Sequence, residues 1–254
     1  MSDVAPLALV TGGLHRIGAA MAIRLADAGY ALALHSRSGG RPDAELAEAL
    51  RKNGTDWTEC SADLSQSGAA MALFDAVVAR FGRAPTLLIN NASMFGAGSI
   101  AQADEENLQD HLTTNLIAPT LLAKATAMAA KAASSPCIII NILDQRVRNP
   151  IADQFAYTLS KQALSEATRT MAIALAPHAR VNAVAPGLTL PTQDYAPGQM
   201  ERVAQMMPLH RLPTPQDIAD AALYLIGARA VTGQTIFVDG GANLKSFDQD
   251  FITL

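Results

Sequence analysis

Cysteine, aromatic residues and long apolar runs are all scarce in this chain. Cys60 and Cys137 are the only cysteines among 254 residues, and neither sits in a CxxC pair. A disulfide framework is therefore excluded, and both are expected as buried, reduced thiols. His15, His35, His111, His178 and His210 are scattered without ligand spacing, so no metal site is expected. No apolar run approaches the ~20 residues that span a bilayer. The opening "MSDVAPLALVTGG" has no basic segment before an apolar stretch, so no leader is expected and the reading is cytoplasmic. Positive charge is not in excess either. The net charge of −4 argues against a nucleic-acid partner or an anionic membrane surface. What is plentiful is apolar material. At 50% hydrophobic and 17% charged, the chain can bury one sizeable core as a single α/β domain.

Short apolar runs alternate with longer Ala-rich segments of helical periodicity. Strands are predicted over 7–11, 31–36, 57–60, 86–90, 137–143, 180–185 and 235–239. Helices are predicted over 42–53, 67–81, 105–132, 155–176 and 215–227. Strands that are apolar throughout and separated by helices imply a parallel sheet covered on both faces. Only 187–214 lacks clear periodicity. A segment of that length is expected to be a lid or substrate loop, with partial disorder as the alternative.

"LALVTGGLHRIGAAMA" reads as a strand, a tight turn and a helix start. The N–H groups and dipole at such a helix N-terminus suit a pyrophosphate. Gly12 and Gly18 bracket the turn, while Arg16 stands where a third glycine is usual. Its guanidinium either caps the turn or lies over phosphate, which its planar fork suits. The second strand ends in His35, Ser36, Arg37 and Ser38. An NAD site typically has an acid there for the ribose 2′-OH. A carboxylate would repel a 2′-phosphate, whereas these side chains can hydrogen-bond to it, so NADPH is the expected cofactor.

Further along come "ADLS" (62–65), "NNAS" (90–93), Asn115 in "TTNLIAP", Tyr157-x-x-x-Lys161, "APG" (185–187) and "VTGQTIFVDGG" (231–241). In this order and spacing, over essentially the full length, the set resembles the short-chain dehydrogenase/reductase family. The resemblance implies an α/β Rossmann fold as a single domain over 1–254, with seven parallel strands and helices on both faces. It implies a cofactor held by Gly12, Arg16, Ile17, Gly18, and the His35–Ser38 turn. It also implies contacts from Asp63 and Leu64 near the adenine, Asn90 and Ala92 at the mid-section, and Pro186, Gly187, Leu188 and Thr189 at the nicotinamide amide. A homotetramer is implied as well.

Residues four apart on a helix share a face, so Tyr157 and Lys161 can point into one cleft. A nearby ammonium lowers a tyrosine's pKa from its usual ~10. By resemblance Tyr157 is the proton donor, Lys161 holds the nicotinamide ribose, and Asn115 supports a water chain to it. Most family members have Ser where Asp144 stands. A carboxylate beside Tyr157 disfavours phenolate, which hinders alcohol oxidation and is compatible with reduction. It also accepts from N–H donors, which a ketone lacks.

Asp144, Arg16 and the "NNASMF" stretch resemble the pteridine reductase and dihydromonapterin reductase branch. That likeness implies a pterin slot lined by Arg16, Ser93, Phe95, Asp144 and Tyr157, with Phe95 sandwiching the ring against the nicotinamide. Arg146 and Arg148 are open: either solvated or facing an anionic tail such as a folate glutamate. The tail "NLKSFDQDFITL" is likewise open, packing on a neighbour or fraying. The expected function is NADPH-dependent reduction of a dihydropterin or dihydrofolate. A generic carbonyl reductase for 3-oxoacyl or sugar ketones is the alternative. A non-catalytic NADP-binding sensor is a third, opposed by the intact Tyr157, Lys161 and Asn115.

Overall fold

Each of the seven apolar runs becomes a strand of one sheet. The computed structural model describes residues 4–96, 98–191, 195–248 and 250–251. The strands are β1 (Leu7–Val10), β2 (Ala31–Ser36), β3 (Trp57–Ser61), β4 (Leu87–Asn90), β5 (Cys137–Ile142), β6 (Ala179–Pro186) and β7 (Thr235–Val238). They lie in the order β3-β2-β1-β4-β5-β6-β7, all parallel. Helices α1 (Arg16–Asp27), α2 (Ala44–Lys52), α3 (Ala69–Phe81), α4 (Glu105–Leu112), α5 (Ala118–Ala132), α6 (Phe155–Ala174), α7 (Gln199–Met206) and α8 (Pro215–Gly227) fill the connections.

The period of two along β1 assigns the layers. Ala8 and Val10 face a core shared with Leu25 of α1, Leu46 of α2 and Ile218 of α8. Leu7 and Leu9 face the other core, with Leu73 of α3, Leu122 of α5 and Met171 of α6. This two-sided burial is why the strands carry no polar alternation. β1 has β2 on one side and β4 on the other, so the chain reverses its winding there. In an open parallel sheet, ligands bind beyond the carboxyl ends of the strands at such a point.

Helix boundaries follow local chemistry. Thr214 caps α8 by accepting from the Asp217 N–H at 3.2 Å, while the Asp217 carboxylate takes the Thr214 N–H at 2.8 Å. Asp104 caps α4 by accepting from the Asn107 N–H at 2.8 Å. The single helix expected over 105–132 is interrupted. A π turn over Thr113–Ile117 separates α4 from α5. Pro119 brings no N–H to the carbonyl of Asn115, so the regular ladder cannot continue through it. The segment 187–214 is not structureless: it contains α7, whose Val203 and Met207 are buried. Its other described residues are turn and loop.

The described part of the tail packs within the chain. Phe247 and Phe251 stack edge-on at 4.9 Å and join Val203 and Met207 in a small satellite core. The described tail residues therefore pack against α7 and the residue after it.

Candidate functional site

A cleft of about 500 Å³ opens at the carboxyl ends of β1, β4, β5 and β6. It brings together the turn after β1, the loops after β2 and β4, Asp144, Tyr157, Lys161 and the Pro186–Thr189 segment. Of the sequence-predicted residues, Ser38, Asp63, Leu64, Asn90 and Asn115 do not line it.

Gly12 sits at φ +61, and a Cβ on it would crowd the Asn91 amide at 3.0 Å. A Cβ on Gly18 would fall 1.9 Å from the Gly12 carbonyl, so only glycine lets helix and turn touch. Arg16 adopts φ 54, the left-handed region a glycine usually occupies. Its N–H donates to Asp43 at 3.0 Å, and Asp43 also meets His15 at 2.7 Å. The Arg16 side chain is exposed at the cleft.

His35 lies on the wall but is a brace. Its Nδ1 accepts from the Gly12 N–H at 3.1 Å, and its Nε2 meets the Ala62 carbonyl at 2.8 Å. That pairing requires the Nε2–H tautomer, and burial lowers its pKa. Both nitrogens are engaged inside the protein, so neither is offered to a phosphate. Ser36 donates to Glu59 at 2.7 Å, and the exposed Arg37 pairs with Asp63 at 3.0 Å. Asp63 also accepts from the Ser65 N–H and hydroxyl. Leu64 is core. Asn90 is buried, its amide donating to Asn141 Oδ1 at 2.9 Å and to the Pro119 carbonyl at 3.3 Å. It braces β4 against β5, and its neighbour Asn91 reaches the cleft instead.

At the other end of the cleft, Tyr157 donates its hydroxyl to Asp144 Oδ2 at 2.9 Å. Burial and then the Asp144 charge push the Tyr157 pKa well above its usual value. Arg146 opposes this, and Asp250 adds to it. The lowering expected from a nearby ammonium is thus reversed in direction. Lys161 donates to the Ile142 carbonyl at 2.8 Å, and burial pulls its pKa down to about 8. Asn115, in the π turn, uses its amide locally. It accepts from the Met94 N–H at 2.8 Å and from Ser93 at 3.2 Å. It donates to the Met94 carbonyl and to Ser160, each at 2.9 Å. Its side chain thus fixes the 93–94 loop against α6, one residue short of Phe95.

Phe95 is half-exposed at the mouth of the cleft, its ring edge-on to Tyr157 at 4.8 Å. It leans on the tyrosine with the rest of its surface partly accessible. Ser93 is exposed beside it. Arg146 is not solvated. It is buried, its guanidinium bonded to Gln154 and Asp250, and it stands 5.8 Å from the Phe95 ring and 5.9 Å from Tyr157. Its backbone N–H donates to Asp144 Oδ1 at 2.8 Å, which fixes the carboxylate. Arg148 stands over Phe237 at 5.5 Å and donates to Asn243 at 3.1 Å.

Sequence reasoning missed Tyr195 and Phe251, which also line the cleft. Neither stands in a motif, and both come from segments without periodicity. Among the described residues, no group of three or more His, Cys, Asp or Glu could hold a metal, and no helix is long and apolar enough to cross a membrane.

The cradle fits a dinucleotide. The Gly12–Gly18 turn leaves room for close approach at the α1 N-terminus, and the crevice continues to Tyr157 and Lys161. A family model described as enoyl-(acyl carrier protein) reductase matches residues 13–243. A crystal structure of FolM alternative dihydrofolate reductase 1 from Brucella canis, complexed with NADP, is 36% identical. It covers 94% of this chain and 95% of that one, with a TM-score of 0.86. Pteridine reductase 1 of Leishmania tarentolae is 31% identical over 96% of this chain and 98% of its own. A protein assigned as a granaticin polyketide synthase ketoacyl reductase in Streptomyces violaceoruber is 36% identical, over 94% of this chain and 97% of its own.

Proposed function

The chain belongs to the short-chain dehydrogenase/reductase family, and from that premise we propose that it is an NADPH-dependent reductase of a pterin-type substrate, a dihydropterin or dihydrofolate. The observation that carries the reading is the pairing of Tyr157 with Asp144 at 2.9 Å, beside a half-exposed Phe95. A carboxylate there suits a ring edge bearing N–H donors. An aromatic side chain at the mouth suits a flat ring. The FolM and pteridine reductase relatives support the same reading.

NADPH would lie along the turn after β1, with Arg16 and Arg37 toward its phosphates and Pro186–Thr189 toward its nicotinamide. Bound there, it supplies a hydride. The chain's own residues do the rest. Phe95 and Arg16 hold the substrate ring flat in the cleft. Asp144 accepts from the ring's N–H groups and keeps Tyr157 protonated. Tyr157 gives that proton to the ring nitrogen as the adjoining carbon receives hydride, so a C=N bond becomes CH–NH. Lys161, carried one turn beyond Tyr157, holds the ribose through its ammonium.

Replacing Phe95 with alanine tests the slot. Aromatic stacking adds ~0.5–1.5 kcal/mol beyond buried area. KM for a dihydropterin should rise several-fold while NADPH affinity stays put. A KM unchanged by the substitution would remove Phe95 from the substrate site. A carbonyl substrate is the second reading, favoured by the ketoacyl reductase relative at equal identity.

A further inference from the structure

The "QRVRN" loop after Asp144 and the C-terminal tail are stitched together. The Arg146 guanidinium is paired with Asp250, and both side chains are buried, at 8% and 4% exposure. Arg148 donates to Asn243 Oδ1 at 3.1 Å. Asn149 donates to the Asn243 carbonyl at 2.7 Å and the Lys245 carbonyl at 3.0 Å. The same tail is tied to the lid. Gln199 of α7 donates to the Phe251 carbonyl at 2.7 Å, and the Phe251 ring packs on Val203 and Met207. The ring also lines the cleft that holds Tyr157.

A buried ion pair is weak evidence for stability, because desolvating two charges cancels much of their attraction. What it does well is to specify one geometry. Here the specified object is Arg146. Its backbone N–H fixes Asp144, and its guanidinium faces both Phe95 and Tyr157. The side chain of Asp250 is bonded to that residue, between the tail and the substrate site.

We propose that Asp250 is a positioning residue of the substrate site, acting through Arg146, and that the tail it seats forms a wall of that site, with Phe251 as the contacting side chain. The wall is supplied in cis, by the same chain that carries Tyr157. It couples the lid helix to the loop bearing Asp144. Asp250 orients the cation but does not touch the reacting atoms. This requires only that a substrate lies beside Tyr157, whatever its class.

The test uses the full-length enzyme and whichever of a 7,8-dihydropterin or an acetoacetyl thioester the wild type reduces. Failure of the pterin reading therefore leaves the experiment intact. Asp250→Asn keeps the shape and removes the charge. It should raise KM by about tenfold, with a much smaller change in kcat and with NADPH affinity, followed by fluorescence, unchanged. Asp250→Glu should recover most of the loss. Phe251→Ala should raise KM independently of any charge, which covers the case in which Asp250→Asn does not fold. Unchanged KM in both variants would overturn the proposal. So would a parallel loss of NADPH affinity, which would make the tail a general brace.

Discussion

At the scale of single residues, the site is a contest over one proton. Tyr157 sits buried against Asp144, and both influences raise its pKa. A reductase needs the phenol form, so the donor should stay loaded up to at least the ordinary tyrosine value of about 10. Asp144→Ser removes the charge, so the tyrosine's alkaline limb should move to lower pH and alcohol oxidation should gain on reduction. An unmoved limb in pH–rate profiles would take Asp144 out of that role. Tyr157→Phe should cost ~10²–10⁴ in rate, the usual worth of a positioned acid, without loss of cofactor binding. The cofactor's 2′-phosphate poses a second contest. Arg37 is paired with Asp63, but an exposed ion pair is worth only ~0–1 kcal/mol. A charge-assisted bond to phosphate is worth ~1.5–3 kcal/mol, so Arg37 can exchange partners. Arg37→Ala should weaken NADPH by about tenfold and leave NADH nearly as it was. Equal loss for both would mean that Arg37 does not read the phosphate.

At the scale of elements, much was legible. Tyr157 and Lys161 announced a shared helix face, and the Gly12–Gly18 spacing announced a strand–turn–helix. The strand positions followed from continuous apolar runs. What escaped was tertiary. The break over Thr113–Ile117 depends on Pro119 within an otherwise helical pattern. His35 read as a phosphate ligand because its type suits one, yet the fold uses both its nitrogens to join the β1 turn to the segment after β3. Arg146 read as either solvated or facing an anionic tail of the substrate because its partner, Asp250, lies in an unpatterned segment. The His35 brace has a pH consequence. Its folded-state pKa is lowered, so protons bind the unfolded chain preferentially. Its contribution to stability should be full above the unfolded value of ~6.5 and decline as pH falls below it. A His35→Ala variant should be less stable by ~1–3 kcal/mol, the cost of orphaned buried partners, and should lose that part of the acid dependence. Denaturant midpoints compared above and below pH 6.5 check both.

At the scale of the whole molecule, a doubly covered parallel sheet presents one crevice at its switch point, and the C-terminal tail returns to close its far side. The fold and the cofactor end follow from the apolar strand runs and the Gly12–Gly18 turn. Beside Tyr157 the cleft is also lined by the loop after Asp144, the segment before α7 and the tail, through Arg146, Tyr195 and Phe251. The central proposal is that Phe95, Arg16, Asp144 and Tyr157 shape a slot for a flat ring with N–H donors. Its most direct test offers the purified enzyme NADPH with a 7,8-dihydropterin, dihydrofolate, an acetoacetyl thioester and a simple ketone in parallel, and follows loss of NADPH absorbance. Turnover of a dihydropterin or dihydrofolate, with poor activity on the thioester and the ketone, is the predicted result. Brisk reduction of the thioester with no activity on any pterin would contradict it.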